Sequence, residues 1–156
     1  MSALLLHQSQ TRPNAHALAD ELIAASYAHP TDKIVVAGAN HLELLIAFLR
    51  RGFLDAACIS TGRELHAIDA ADILIAPVLD AAADLPEILN CLGGALRPGG
   101  VLVIRATESL AASTEQQLLP IFLQFGFAAV ERLASRNHDG EVWLARKQIK
   151  IMAKAA

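Results

Sequence analysis

Short apolar runs separated by amphipathic stretches organise this chain. Residues 34–37 (Ile, Val, Val, Ala), 56–60, 73–76 and 101–104 are brief, apolar and mostly β-branched, so they predict buried strands. Between them lie stretches with helical spacing. Residues 14–28 place Leu18, Leu22 and Ile23 on one face, and His29-Pro30 ends that helix because the residue before proline resists the helical region. Residues 42–51 gather Leu44, Leu45, Phe48 and Leu49, with Gly52 as the stop. Residues 86–96 predict a third helix with Pro86 in its first turn. Residues 114–125 predict a fourth, in which Pro120 implies a kink or a late start. Residues 96–100 (Leu, Arg, Pro, Gly, Gly) predict a tight turn feeding the strand at 101–104. The stretch 61–70 is polar and short, and residues 3–6 fit either a strand or a helical turn.

After residue 125 the alternation stops. Two strands, 128–134 and 142–145, follow one another around an Asp139-Gly140 turn signal. Alternating strands and helices imply a parallel sheet covered on both faces, and the final pair implies an antiparallel hairpin. The expected fold is therefore α/β: a doubly wound, Rossmann-like sheet, mostly parallel, with a C-terminal antiparallel hairpin. Residues 1–147 form one domain in this reading, and 148–156 form a tail.

Composition agrees with a buried aliphatic sheet. Hydrophobic residues make up 54% of the 156 positions and aromatics only 4%, so Ala, Leu, Ile and Val must fill the core. The net charge of -3 and the lack of a basic stripe argue against a nucleic-acid binder. The run Ala3-Leu4-Leu5-Leu6 has no basic flank or small-residue cleavage site, and no apolar run approaches the ~18 residues of a membrane span. A cytoplasmic protein with no membrane partner is expected. Cys58 and Cys91 match no paired motif and are expected as free, buried thiols. The six histidines show no metal-ligand spacing, so no metal is expected.

Three segments carry a family resemblance. Leu96-Arg97-Pro98-Gly99-Gly100-Val101-Leu102-Val103-Ile104 resembles the entry to the fifth strand of the class I S-adenosylmethionine-dependent methyltransferases. Asp72-Ile73-Leu74-Ile75-Ala76-Pro77-Val78-Leu79-Asp80 resembles that family's fourth strand and following loop. Gly126-Phe127, with Glu141-Val142-Trp143-Leu144-Ala145-Arg146, resembles its closing hairpin. The resemblance spans about residues 33–147 and implies the methyltransferase-like fold, with a third strand that the short stretch 61–72 leaves reduced or absent.

The cofactor motifs depart from the family pattern. An acidic residue and a loop of the form D/E-x-G-x-G-x-G normally follow the first strand, because glycine lets the backbone approach the ligand. Here Val36 takes the acidic position, Gly38 is retained, and Asn40 and Leu42 replace the other glycines. The second strand normally ends in a carboxylate for the ribose. Cys58 stands there, a weak acceptor, with Ser60 the nearest polar group. Asp69 is a weak match to an adenine-contacting acid. Hydrogen bonds to charged groups contribute about 1.5–3 kcal/mol each. Losing two carboxylates would therefore weaken binding by several powers of ten.

Two functional expectations follow. The first is a methyltransferase-like domain that has lost its cofactor and serves as a binding or assembly module, with a protein partner or a second copy as its target. The second is an active, divergent S-adenosylmethionine-dependent methyltransferase acting on a small molecule. In that case Gly38, Ala39, Asn40, Ser60 and the backbone of Ala76 and Pro77 would hold the cofactor. A different nucleotide in the same crevice is a weaker third reading. An open crevice beside Gly38 and Ser60 would favour the enzyme; Val36 and Leu42 side chains filling it would count against it. Asp80 and His41 are candidate bases but fit a loop carboxylate and a first-turn polar residue better. Trp143 is expected to pack in the hairpin.

Overall fold

The computed structural model describes residues 15–38, 41–59, 70–79, 81–107, 115–133 and 141–149. Helix α1 (Ala15–Ser26) precedes strand β1 (Ile34–Ala37), helix α2 (His41–Arg50) and strand β2 (Ala56–Ile59). Strand β3 (Ala71–Ile75), helix α3 (Leu85–Leu92) and the long strand β4 (Leu96–Ala106) follow. Helix α4 (Glu115–Gln124) leads to strands β5 (Phe127–Leu133) and β6 (Glu141–Lys147). The six strands among the described residues make one sheet in the order β2-β1-β3-β4-β6-β5. The first four run parallel, and β6 is antiparallel to both of its neighbours. This is the mixed sheet expected from the sequence. No strand lies outside β2 among the described residues; residues 61–69 of the stretch expected to carry the reduced unit fall outside them.

Alternation along the strands divides the core in two. Val35, Leu74, Leu102, Ile104 and Trp143 face α3 and α4 and pack with Leu85, Leu89, Leu118, Phe122 and Phe127. Ile34, Val36, Ile73, Ile75, Val101, Val103, Val142 and Leu144 face the opposite way and pack with Leu18, Leu22, Leu44 and Phe48. A parallel strand buried on both faces needs a continuous apolar run, which is why β1 reads Ile-Val-Val-Ala with all four residues buried. Edge-to-face ring pairs, Phe48–Phe53 at 5.9 Å and Phe122–Phe127 at 6.3 Å, pin one helix on each face to the chain that follows it.

Several expectations need correction. The predicted turn at 96–100 is a bulge inside β4. Leu96 pairs with Ala71 and Val101 with Ile73, so Arg97 to Gly100 bow outward opposite a single β3 residue. Gly99 takes φ +80° there, and the Gly99 carbonyl accepts a hydrogen bond from the Arg146 guanidinium at 2.9 Å. Asp72 is not before β3 but within it. One of its oxygens accepts the Lys33 N–H at 2.7 Å, and the other pairs with Arg97. Helix α3 gives way at Leu92 to a 3-10 turn, Gly93–Ala95, because glycine lowers helix propensity. Pro120 does not delay α4, which starts at Glu115 with the proline inside it at an exposed position. Lys147 belongs to β6, and its ammonium donates to the Gly93 and Leu96 carbonyls.

The cysteines are free, as expected, but not buried: Cys58 is half-buried and Cys91 is exposed. Cys91 falls off the Leu85, Leu89 and Leu92 stripe that α3 presents to the sheet. Trp143 packs in the hairpin as expected, at 2% exposure.

At the other end of the molecule Arg51 joins α2 to α1. Its guanidinium donates to Asp20, at 2.9 Å to one carboxylate oxygen, and to the His16 carbonyl at 2.7 Å. The hydrogen bond from Arg51 holds the Asp20 carboxyl below the usual aspartate value. A depressed folded-state pKa contributes stability above the unfolded value and loses it as pH falls through the folded one. Asp20→Asn is therefore expected to be slightly less stable than the parent at pH 7. The gap should close as both are titrated below pH ~4, the ordinary aspartate range. Urea midpoints for the two proteins at several pH values check this; a gap that grows on acidification would contradict it.

Candidate functional site

Sheet order reverses between β1 and β3: β2 lies on one side of β1, while β3 and β4 continue on the other. In doubly wound sheets ligands settle at the carboxyl end of such a switch point. Here that edge comprises Gly38 after β1, Ala76, Pro77 and Val78 after β3, and Arg105 to Thr107 at the end of β4.

Gly38 has φ +97°, and a Cβ placed on it would lie 2.9 Å from both the Cα and the Cβ of Pro77. The ends of β1 and β3 thus meet in direct contact, which only glycine permits. Two of the N–H groups beyond β3 are already engaged. The Ala76 N–H donates to the Val103 carbonyl at 2.9 Å, and the Leu79 N–H to the Arg105 carbonyl at 2.7 Å. Pro77 has no N–H. Ala76 is fully buried, Pro77 half-buried and Val78 exposed.

Val36, in the acidic position of the family motif, has no exposed surface and sits within the aliphatic cluster against α2. Its β2 partner in register is Cys58, which occupies the ribose-carboxylate position. Leu42, the last departure from the glycine pattern, is 58% exposed and does not fill the crevice. Of the two side chains expected to occlude the site, one is core and the other is turned to solvent. The structure brings Gly38, Ala76 and Pro77 together at one edge. Ala39, Asn40, Ser60, Asp69 and Asp80 lie outside the described residues, as does the His41 side chain. No group of three or more His, Cys, Asp or Glu able to hold a metal occurs among the described residues.

One residue of this edge escaped the sequence reading. Arg105 follows Val101-Leu102-Val103-Ile104, and strand alternation places it on the face of Val101 and Val103. It is 7% exposed, its Nε has no hydrogen-bond partner, and burial pushes its pKa below the ordinary arginine value. The available signal was the period of two, which continues past the apolar run into a charged residue.

A mostly parallel sheet ending in an antiparallel hairpin, with a glycine turn at the switch point, defines the class I methyltransferase-like fold. Solved structures bear this out. A SAM-dependent methyltransferase from Archaeoglobus fulgidus superposes with a TM-score of 0.58 at 10% identity, over 85% of this chain and 94% of that one. The protein-(glutamine-N5) methyltransferase (release factor-specific) of Alicyclobacillus acidocaldarius gives 0.57 at 10% identity, over 88% and 94%. Haemonchus contortus phosphoethanolamine N-methyltransferase 2, solved with S-adenosylhomocysteine, gives 0.56 at 14% identity; the match covers 89% of this chain but only 39% of that enzyme. These identities establish the fold alone. No protein-family model matches the sequence, and no curated protein does. No helix among the described residues is long and apolar enough to cross a membrane.

Proposed function

We propose that this protein is a methyltransferase-like domain that has lost the usual grip on S-adenosylmethionine and works as a binding or assembly module. The observation that carries the reading is Val36. The motif position that should present a carboxylate to the cofactor is instead a fully buried core residue. An ionised side chain there would have to displace aliphatic packing against α2. Two further features agree. A half-buried thiol replaces the ribose acceptor at Cys58, and Ala76 and Pro77 offer a ligand no free N–H. Leu42, Ile46 and Leu49 leave apolar surface exposed along α2 and are a candidate contact face for a protein partner or a second copy.

Leu42 also favours a second reading. Because it is turned to solvent, it does not fill the crevice beside Gly38, and an active divergent methyltransferase using S-adenosylmethionine is the alternative.

Titration calorimetry with S-adenosylmethionine and S-adenosylhomocysteine separates the two. The module reading expects no heat of binding up to millimolar ligand. A micromolar dissociation constant for either would overturn it and make a methyl-acceptor screen the next step.

A further inference from the structure

Arg105 is a buried charge with no counterion among the described residues. Among the described residues three other arginines form ion pairs: Arg51 with Asp20, Arg97 with Asp72 and Arg132 with Glu141. All three are more exposed than Arg105, which has no such partner. Burying an unpaired cation opposes folding strongly. A guanidinium cannot escape the cost by losing its proton near neutral pH. Nothing in packing explains the choice, since its neighbours on the same face of the strand, Val101 and Val103, are aliphatic.

The placement supplies a reason. Val36, Ile75 and Val103 align across β1, β3 and β4. Past Ile75 the register slips by one: Leu79 pairs with Ala106, and its N–H donates to the Arg105 carbonyl, so Arg105 lies beside the Pro77–Leu79 segment at the carboxyl edge near the switch point. Neighbouring strands stand about 4.8 Å apart, so the long arginine side chain begins one strand from Pro77 and two from Gly38. The planar guanidinium fork matches a carboxylate or a phosphate with two parallel hydrogen bonds.

We propose that Arg105 anchors an oxyanion, carboxylate or phosphate, of a small ligand bound at the carboxyl edge of β3 and β4. The proposal rests on the module reading only in giving this edge a ligand other than S-adenosylmethionine. It predicts that Arg105 lowers the stability of the empty protein and confers binding in return.

The test is thermal unfolding of the full chain in inorganic phosphate or citrate, against sodium chloride at matched ionic strength. Parent, Arg105→Met and Arg105→Lys are compared. One or both oxyanions should raise the parent's midpoint with saturation. The response should vanish in Arg105→Met, which should melt above the parent in chloride alone, and shrink in Arg105→Lys, which keeps the charge without the fork. A preference for phosphate or for citrate identifies which oxyanion the ligand carries. A parent indifferent to both anions, or a Met variant that responds as the parent does, overturns the site; if the Met variant fails to fold, an undiminished response in the Lys variant does so. Micromolar S-adenosylmethionine binding alongside an intact anion response overturns the module reading alone. An absent anion response without S-adenosylmethionine binding overturns the anion site alone.

Discussion

Trp143→Ala is expected to lose about 3–5 kcal/mol of stability, the usual range for removing a large buried aromatic side chain. Trp143 is 2% exposed, pairs with Ile104 across β4 and β6, and shares its cluster with Leu118, Phe122 and Phe127. Helix α4 leans on this cluster, and no second aromatic stands ready to refill the space from β6. Set against a typical total of about 5–15 kcal/mol for a domain, the variant should be marginal at 37 °C. The indole nitrogen has no hydrogen-bond partner. Trp143→Phe gives up ring volume but also removes that orphan donor, whose burial costs about 1–3 kcal/mol. The Phe variant should therefore retain most of the stability. Urea midpoints at unchanged slope measure both. An Ala variant within about 1 kcal/mol of the parent would contradict the packing described above.

The second large effect belongs to Gly38→Ala. Left-handed backbone costs an L-residue about 1–2 kcal/mol, and φ +97° at Gly38 lies beyond the comfortable part of that region. The added methyl would also stand 2.9 Å from the Pro77 Cα, which is backbone and cannot swing aside. Overpacking of this kind costs about 1–3 kcal/mol, so the sum is about 2–5 kcal/mol. Gly52→Ala is the control. Gly52 has a similar φ of +88° but nothing within 4 Å of the added Cβ. It should show only the conformational part, and the difference between the two variants measures the contact between the ends of β1 and β3. Equal losses would mean that the contact carries no energy and that the carboxyl edge is looser than described.

Much of the architecture was legible because its signals are local. The Ile-Val-Val-Ala run of β1, the helical spacing of Leu44 and Phe48, and two successive strands after residue 125 each belong to one stretch of chain. Handedness and layer rules then leave few ways to combine them. The site was legible only as a pattern of departures. Val36 and Cys58 could be seen to stand where carboxylates are expected, but not that Val36 is wholly core or that Leu42 turns outward. The glycine-rich stretch 96–100 was misread as a turn. A bulge and a turn draw on the same residues, and only pairing with Ala71 and Ile73 distinguishes them. Cys91 was misread because free cysteine is more often buried than not, whereas α3 turns it away from its own leucine stripe.

By itself the sequence determined the order of strands and helices, which residues are apolar enough to be buried, and which cofactor carboxylates are missing. These follow from periodicity and side-chain chemistry, properties of neighbours in the chain. Tertiary structure decided that Asp72 joins Lys33 to Arg97, that Gly38 must lie against Pro77, and that Arg105 is enclosed with no counterion among the described residues. Those depend on which strands become neighbours and in what register. Residues 25 to 39 positions apart meet only after the sheet has formed, and no local pattern encodes the electrostatic and steric surroundings that they then share.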